Sequence, residues 1–253
     1  MIGIFDSGSG GLTVLKAIRE VLPSCDVLYF GDIKNAPYGP KPREELANLT
    51  IDAIKLLYGR GARNMVSACN SVSASLAVSL LDAFDMAPAH LIEMVGPTVA
   101  SLRTSPARIL LCATSATIQS GIYQNAFRMI GKSITTIAIP ELAGAIEFGA
   151  APEVIKKIIA DAFTGVALSN FDVLILGCTH YPLAAQAFQE IVPASLALFD
   201  PALAVAQRVE KQFWPQEAGN GETMFLISKD SPHFRTLLED LFPESKYTLE
   251  VLE

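Results

Sequence analysis

Cys69 and Cys178 are the residues whose type and setting best suit chemistry. Each closes an apolar run and precedes small polar residues, in Met65-Val66-Ser67-Ala68-Cys69-Asn70-Ser71 and Ile175-Leu176-Gly177-Cys178-Thr179-His180. Such a stretch reads as a strand feeding a helix, which sets each thiol at a strand's carboxyl end beside a helix N-terminus. That setting is expected to lower a thiol pKa. A lone cysteine is ordinarily an inert small hydrophobe, and Cys25 and Cys112 fit that description. Two thiols in matching contexts, facing each other across a cleft, suit stereoinversion at a carbon acid: one removes the Cα proton and the other delivers a proton to the opposite face. Directed donors can offset the carbanion's charge without an electron-sink cofactor. No motif demands pyridoxal phosphate, flavin, nicotinamide or a metal, because the four cysteines and three histidines show no ligand spacing.

Other polar residues gather in the same contexts. Asn70, Ser71 and Thr179 are donors suited to an amino acid's carboxylates and ammonium, and His180 reads either as an inert surface residue or as a group that orients a carboxylate or assists the thiol. Asp6-Ser7-Gly8-Ser9-Gly10-Gly11 follows the first apolar run directly. It lacks the Lys-Ser/Thr of a phosphate loop and reads either as a tight turn or as a small-ligand loop carrying a carboxylate and a hydroxyl. In Pro37-Tyr38-Gly39-Pro40, Tyr38 is held between turn formers, as a connection or as a ligand-facing side chain.

The elements that must position these residues alternate. Apolar runs without polar alternation mark parallel strands buried on both faces at Ile2–Phe5, Val27–Phe30, Asn64–Ser67, Leu91–Met94, Arg108–Cys112, Ser133–Ala138, Val173–Leu176, Leu196–Phe199 and Thr223–Ile227. Helix-period stretches lie between them: Leu12–Leu22 after the turn at Gly8–Gly11, Pro42–Tyr58, Ser71–Phe84, Thr117–Ile130, Pro152–Leu168, Pro182–Ile191, Pro201–Phe213 and Ser231–Leu241. The fold class is α/β. Asp6 and Cys69 are 63 positions apart and Thr114 and Cys178 are 64 apart, each at a strand end, so two similar lobes with mainly parallel sheets and a cleft between them are expected. One lobe boundary is expected near Gly96-Pro97, between a strand and the next helix.

Composition narrows the function classes. The 253 residues are 51% apolar with net charge −7, which suits a globular chain and disfavours a nucleic-acid partner. No apolar run is long enough to cross a membrane, and the first residues carry no export signal, so a cytoplasmic protein with free thiols is expected.

Taken in order, Phe5-Asp6-Ser7-Gly8-Ser9-Gly10-Gly11, Pro37-Tyr38-Gly39, Ala68-Cys69-Asn70-Ser71, Ala113-Thr114-Ser115-Ala116-Thr117-Ile118 and Gly177-Cys178-Thr179-His180-Tyr181-Pro182-Leu183 resemble the cofactor-independent aspartate/glutamate racemases, most closely the glutamate-specific branch. The resemblance spans nearly the whole chain. It implies a first lobe at 1–97, a second at 98–205 and a C-terminal segment, 206–253, that returns to the first. It also implies no cofactor, a homodimer, and D-glutamate supply for peptidoglycan. Cys69 and Cys178 match the family's acid/bases, and Asp6 and His180 match their auxiliary groups. The positions that hold the amino acid correspond to Asp6, Ser7, Tyr38, Gly39, Asn70, Ser71, Thr114, Thr117, Thr179 and His180, with Glu147 an acidic residue near the site. Three places depart from the family pattern: Ser71 replaces Thr, Val95-Gly96-Pro97 replaces Ile-Glu-Pro, and Ser228-Lys229-Asp230 replaces Ser-Gly-Asp. The competing readings are an aspartate racemase, a hydrolase using Cys178 and His180, and a non-catalytic amino-acid-binding protein.

Overall fold

The computed structural model describes residues 1–73, 87–215, 217–243 and 246–252. Strands β1 (Ile2–Asp6), β2 (Val27–Gly31), β3 (Asn64–Ser67) and β4 (Leu91–Glu93) join β9 (Thr223–Ile227) and β10 (Tyr247–Val251) in one sheet, in the order β10-β9-β2-β1-β3-β4. Strands β5 (Ile109–Ala113), β6 (Thr135–Ala138), β7 (Val173–Gly177) and β8 (Ala197–Phe199) form a second sheet, ordered β6-β5-β7-β8. Every pairing within these sheets is parallel. The central strands are buried throughout, as their unalternated apolar runs require.

Helices cover both faces of each sheet. On the first, α1 (Leu12–Val21), α10 (Pro201–Phe213) and α11 (Pro232–Leu241) enclose a core that includes Ile4, Leu15, Val205 and Phe225, while α2 (Arg43–Gly59) covers the other face over Phe5, Ile54 and Met65. On the second, α7 (Leu142–Glu147), α8 (Pro152–Ala162) and α9 (Ala185–Ile191) pack over Leu110 and Leu176, and α4 (Val95–Ser101) and α6 (Ile122–Met129) over Leu111 and Ile175. Short helices α3 (Asn70–Ser73) and α5 (Ser115–Ser120) start directly after strands β3 and β5. The expected helix over Ser71–Phe84 extends past α3 and lies largely outside the described residues.

Several elements differ from the sequence expectation. The helix expected over Thr117–Ile130 starts earlier, where the Thr114 hydroxyl caps α5 by accepting from the Thr117 N–H, and it breaks at Gly121, whose φ of 68° is left-handed. The helix expected to reach Leu168 ends at Ala162, ahead of a turn through Gly165 at φ 79°. Gly96 and Pro97, expected to precede a helix, lie inside α4, where a proline in the first turn forfeits no helical hydrogen bond. The expected divisions at 97/98 and 205/206 thus fall within α4 and α10.

Candidate active site

In an open parallel sheet the strands' carboxyl ends collect ligand-facing residues. Here neighbouring strands β1 and β3 end at Asp6 and Ser67, and β5 and β7 end in register at Ala113 and Gly177. The residues that follow them meet. Cys69 and Cys178 are 4% and 6% exposed, and Asp6, Asn70, Thr114, Thr117, Glu147, Thr179 and His180 are also buried.

Cys178 Sγ lies 3.8 Å from His180 Nδ1, because the chain turns from β7 directly into a short 3-10 helix. Residues two apart after a strand end need not face each other, yet these do. His180 Nε2 is 2.6 Å from Glu147 Oε2, which also accepts from the Ser9 N–H at 2.8 Å and the Ser9 hydroxyl at 2.7 Å. Burial pushes His180 down, but its bonds to Cys178 and Glu147 together carry it well above the ordinary imidazole value. Burial likewise opposes Glu147's charge, and the His180 and Ser9 bonds outweigh it, leaving that carboxyl below its usual range. An imidazolium held between a carboxylate and a thiol is the result.

Cys69 Sγ contacts Ser7 Oγ at 3.8 Å. The strand-end setting leads one to expect a lowered pKa for this thiol, and the structure corrects that: burial first, and then the negative charge of Asp6, push it up to about 12. The Val72 N–H of the following helix turn pulls the other way without winning. Cys178 lies close enough to contribute to the same rise. Asp6 itself is raised, chiefly by burial; its Oδ1 accepts from the Gly8 N–H at 2.9 Å and its Oδ2 from the Thr179 hydroxyl at 3.0 Å.

A ladder of hydroxyls adjoins the thiols. Ser71 Oγ is 2.9 Å from Thr114 Oγ1, which is 3.1 Å from Thr117 Oγ1. The Gly39 carbonyl accepts from the Ala116 N–H, and a Cβ at Gly39 would stand 2.9 Å from the Thr114 Cβ, so a larger residue would part the two loops. Tyr38 packs in the same core cluster as Cys69; its hydroxyl donates to Asp32 Oδ2 at 2.6 Å, and Asp32 also accepts from Asn35 and Ser228. The Gly-rich loop is packed against the opposite lobe, since a Cβ at Gly10 would meet His180 Nδ1 and Thr179 Oγ1 at 2.6 Å. The structure therefore gathers the thiols, Asp6, Ser7, Tyr38, Gly39, Asn70, Ser71, Thr114, Thr117, Glu147, Thr179 and His180, with the Tyr38 hydroxyl held by Asp32.

Sequence reasoning did not single out Ser9, Asp32 or Tyr123. Ser9 lies in the Gly-rich stretch and reads as turn material; Asp32 comes at a strand end, as Asp6 does. Tyr123 falls on an apolar helix face, where period alone reads as core. Among the described residues, no group of three or more His, Cys, Asp or Glu side chains is arranged to hold a metal ion.

The family model described as Asp/Glu/Hydantoin racemase matches residues 12–209. The chain belongs to that racemase family. It is an amino-acid racemase, an isomerase. It is 34% identical over 253 residues to the glutamate racemase of Aquifex aeolicus, an alignment covering 99% of this chain and 98% of that one. The crystal structure of glutamate racemase from Francisella tularensis in complex with D-glutamate superposes with a TM-score of 0.86 at 26% identity, covering 100% of this chain and 97% of that one. The fold is shared as well with glutamate racemase isoform RacE1 of Bacillus anthracis, at a TM-score of 0.89, 24% identity and coverage of 100% and 97%. Family membership sets aside the hydrolase and the non-catalytic binding protein.

Proposed function

We propose that this racemase interconverts L- and D-glutamate by proton transfer at Cα between Cys69 and Cys178. The observation that carries the proposal is the pair of buried thiols at the carboxyl ends of two different sheets, ringed by hydroxyl, amide and carboxylate groups. With Cys69 pushed up to about 12, it enters the cycle as the protonated partner. Cys178, as thiolate, takes the Cα proton of the L-isomer, and the Cys69 S–H delivers its proton to the other face. Each turnover leaves the protonation states exchanged, and a proton passes back from Cys178 to Cys69 through the site's polar groups or solvent. His180, an imidazolium whose far nitrogen is held by Glu147, is placed to stabilise the Cys178 thiolate across the Sγ–Nδ1 contact. Asn70, Ser71, Thr114, Thr117 and Thr179 hold the two carboxylates and the ammonium. The resemblance further implies cofactor independence, a cytoplasmic homodimer and supply of D-glutamate for peptidoglycan.

The glutamate racemases among its relatives favour glutamate over its shorter homologue. Racemisation of glutamate, aspartate and alanine, followed by optical rotation after dialysis against a chelator and a carbonyl reagent, tests this. Glutamate should exceed alanine by about 10⁴-fold or more, since an apolar side chain leaves buried polar groups unpaired. Equal turnover of alanine, or activity restored only by pyridoxal phosphate or a metal, would overturn the reading; aspartate exceeding glutamate would shift it to aspartate.

A further inference from the structure

Asn70 follows Cys69 directly and is 2% exposed, yet only one end of its amide is satisfied. Its Oδ1 accepts from the Tyr123 hydroxyl at 2.6 Å, whereas its Nδ2 is buried without a hydrogen-bond partner. A buried donor left unpaired costs about 1–3 kcal/mol, so its retention beside the reacting groups points to a partner that arrives with the ligand. Tyr123 stands at the start of α6, just past the Gly121 break, and is fully buried in the core beneath the second sheet. Its phenol reaches across from the second lobe to the strand end of the first. Thr98, beside the phenol oxygen, commits its own hydroxyl proton to the Met94 carbonyl at 2.6 Å. The Tyr123 proton goes to Asn70.

An amide presents a donor at one end and an acceptor at the other, so whatever holds one end decides what the other offers. We infer that Tyr123 is a positioning residue that locks the Asn70 amide with its N–H₂ toward the reacting amino acid, where it donates to a carboxylate oxygen. The inference rests on the racemase reading of the same site. A donor on the α-carboxylate gains strength as that group takes up the charge released from Cα, which ties Tyr123 to the rate as well as to binding.

A double-mutant cycle on kcat/KM tests it, using glutamate, or aspartate if that is the better substrate. Tyr123→Phe should lower kcat/KM by about tenfold, the worth of one such bond, with the pH profile unchanged because Tyr123 exchanges no proton with substrate. In an Asn70→Ala background the same change should cost no more than about twofold, since there is no amide left to orient. Equal losses in both backgrounds would overturn the inference and leave the racemase reading standing; a wild-type chain that turns over neither acid would overturn the reading and this inference with it. If Tyr123→Phe fails to fold, Asn70→Asp decides. Its second oxygen would face a substrate carboxylate, so activity should fall below that of Asn70→Ala. Near wild-type activity in Asn70→Asp would mean that the acceptor end faces the substrate.

Discussion

Replacing the sulfur of Cys69 or Cys178 by oxygen keeps the side chain's shape but raises its pKa far above the thiol value, so the base on that face is lost. Racemisation by Cys69→Ser and by Cys178→Ser should each fall about 10²–10⁴-fold. Each variant keeps one thiol, and each should still eliminate a leaving group from one enantiomer of a β-substituted substrate, the two variants preferring opposite enantiomers. The same preference in both would place the thiols on one face. The His180–Glu147 pair makes a separate, pH-dependent forecast. A raised imidazole contributes stability that is fully present below its ordinary value of 6.5 and lost as pH climbs through the higher folded value; a lowered carboxyl contributes above 4.5 and loses that as pH falls through the lower folded value. The gap in thermal unfolding midpoint between wild type and Glu147→Gln should therefore be widest between pH 4.5 and 6.5 and should narrow above it. A gap that widens with rising pH would mean that the imidazole is neutral in the fold.

The turn from β1 into α1 shows how tightly the elements constrain the site. Gly10→Ala would drive a Cβ to 2.6 Å from His180 Nδ1, so it should cost about 1–3 kcal/mol of stability and most of the activity by displacing His180 from Cys178. Gly59→Ala, at the end of α2 with nothing within 4 Å of the new Cβ, should instead stabilise by about 0.4–1 kcal/mol and leave the rate alone. Denaturant midpoints and initial rates for the two variants check both, and similar behaviour would contradict the packing described here. The same elements show what a sequence discloses. Strands such as Val27–Gly31 were legible because both their faces are buried and the residues say so. β10 was not, since Tyr247-Thr248-Leu249-Glu250-Val251 is an edge strand with alternating exposure and its partner β9 is remote from β2 in sequence. α4 was hidden by a Gly-Pro pair that reads as a break. At the site, Cys69, Cys178 and their polar followers announced themselves by position after apolar runs. Ser9, which fixes Glu147, and Tyr123, which fixes Asn70, did not, because their partners are 138 and 53 residues away and only the fold brings them together.

Across the whole molecule, the two sheets are joined at the site by hydrogen bonds: Ser9 to Glu147, Thr179 to Asp6, Ser71 to Thr114, and Tyr123 to Asn70. With both thiols nearly inaccessible, an amino acid can reach them only if the two sheets move apart, the Tyr123–Asn70 bond being in place again in the complex. Alkylation by iodoacetamide, followed by mass spectrometry in the absence of denaturant, should modify Cys69 and Cys178 sooner than Cys112, which lies wholly inside the second sheet's core and needs unfolding. Equal rates at the three would show that the sheets do not separate short of unfolding. The polar ring and the paired thiols converge on one chemical event, exchange of the Cα proton. L-Glutamate incubated with the protein in heavy water, without added cofactor, should yield D-glutamate carrying deuterium at Cα, and the same experiment from D-glutamate should yield deuterated L-glutamate. Inversion without deuterium, or no inversion from either side, would contradict a two-thiol proton transfer.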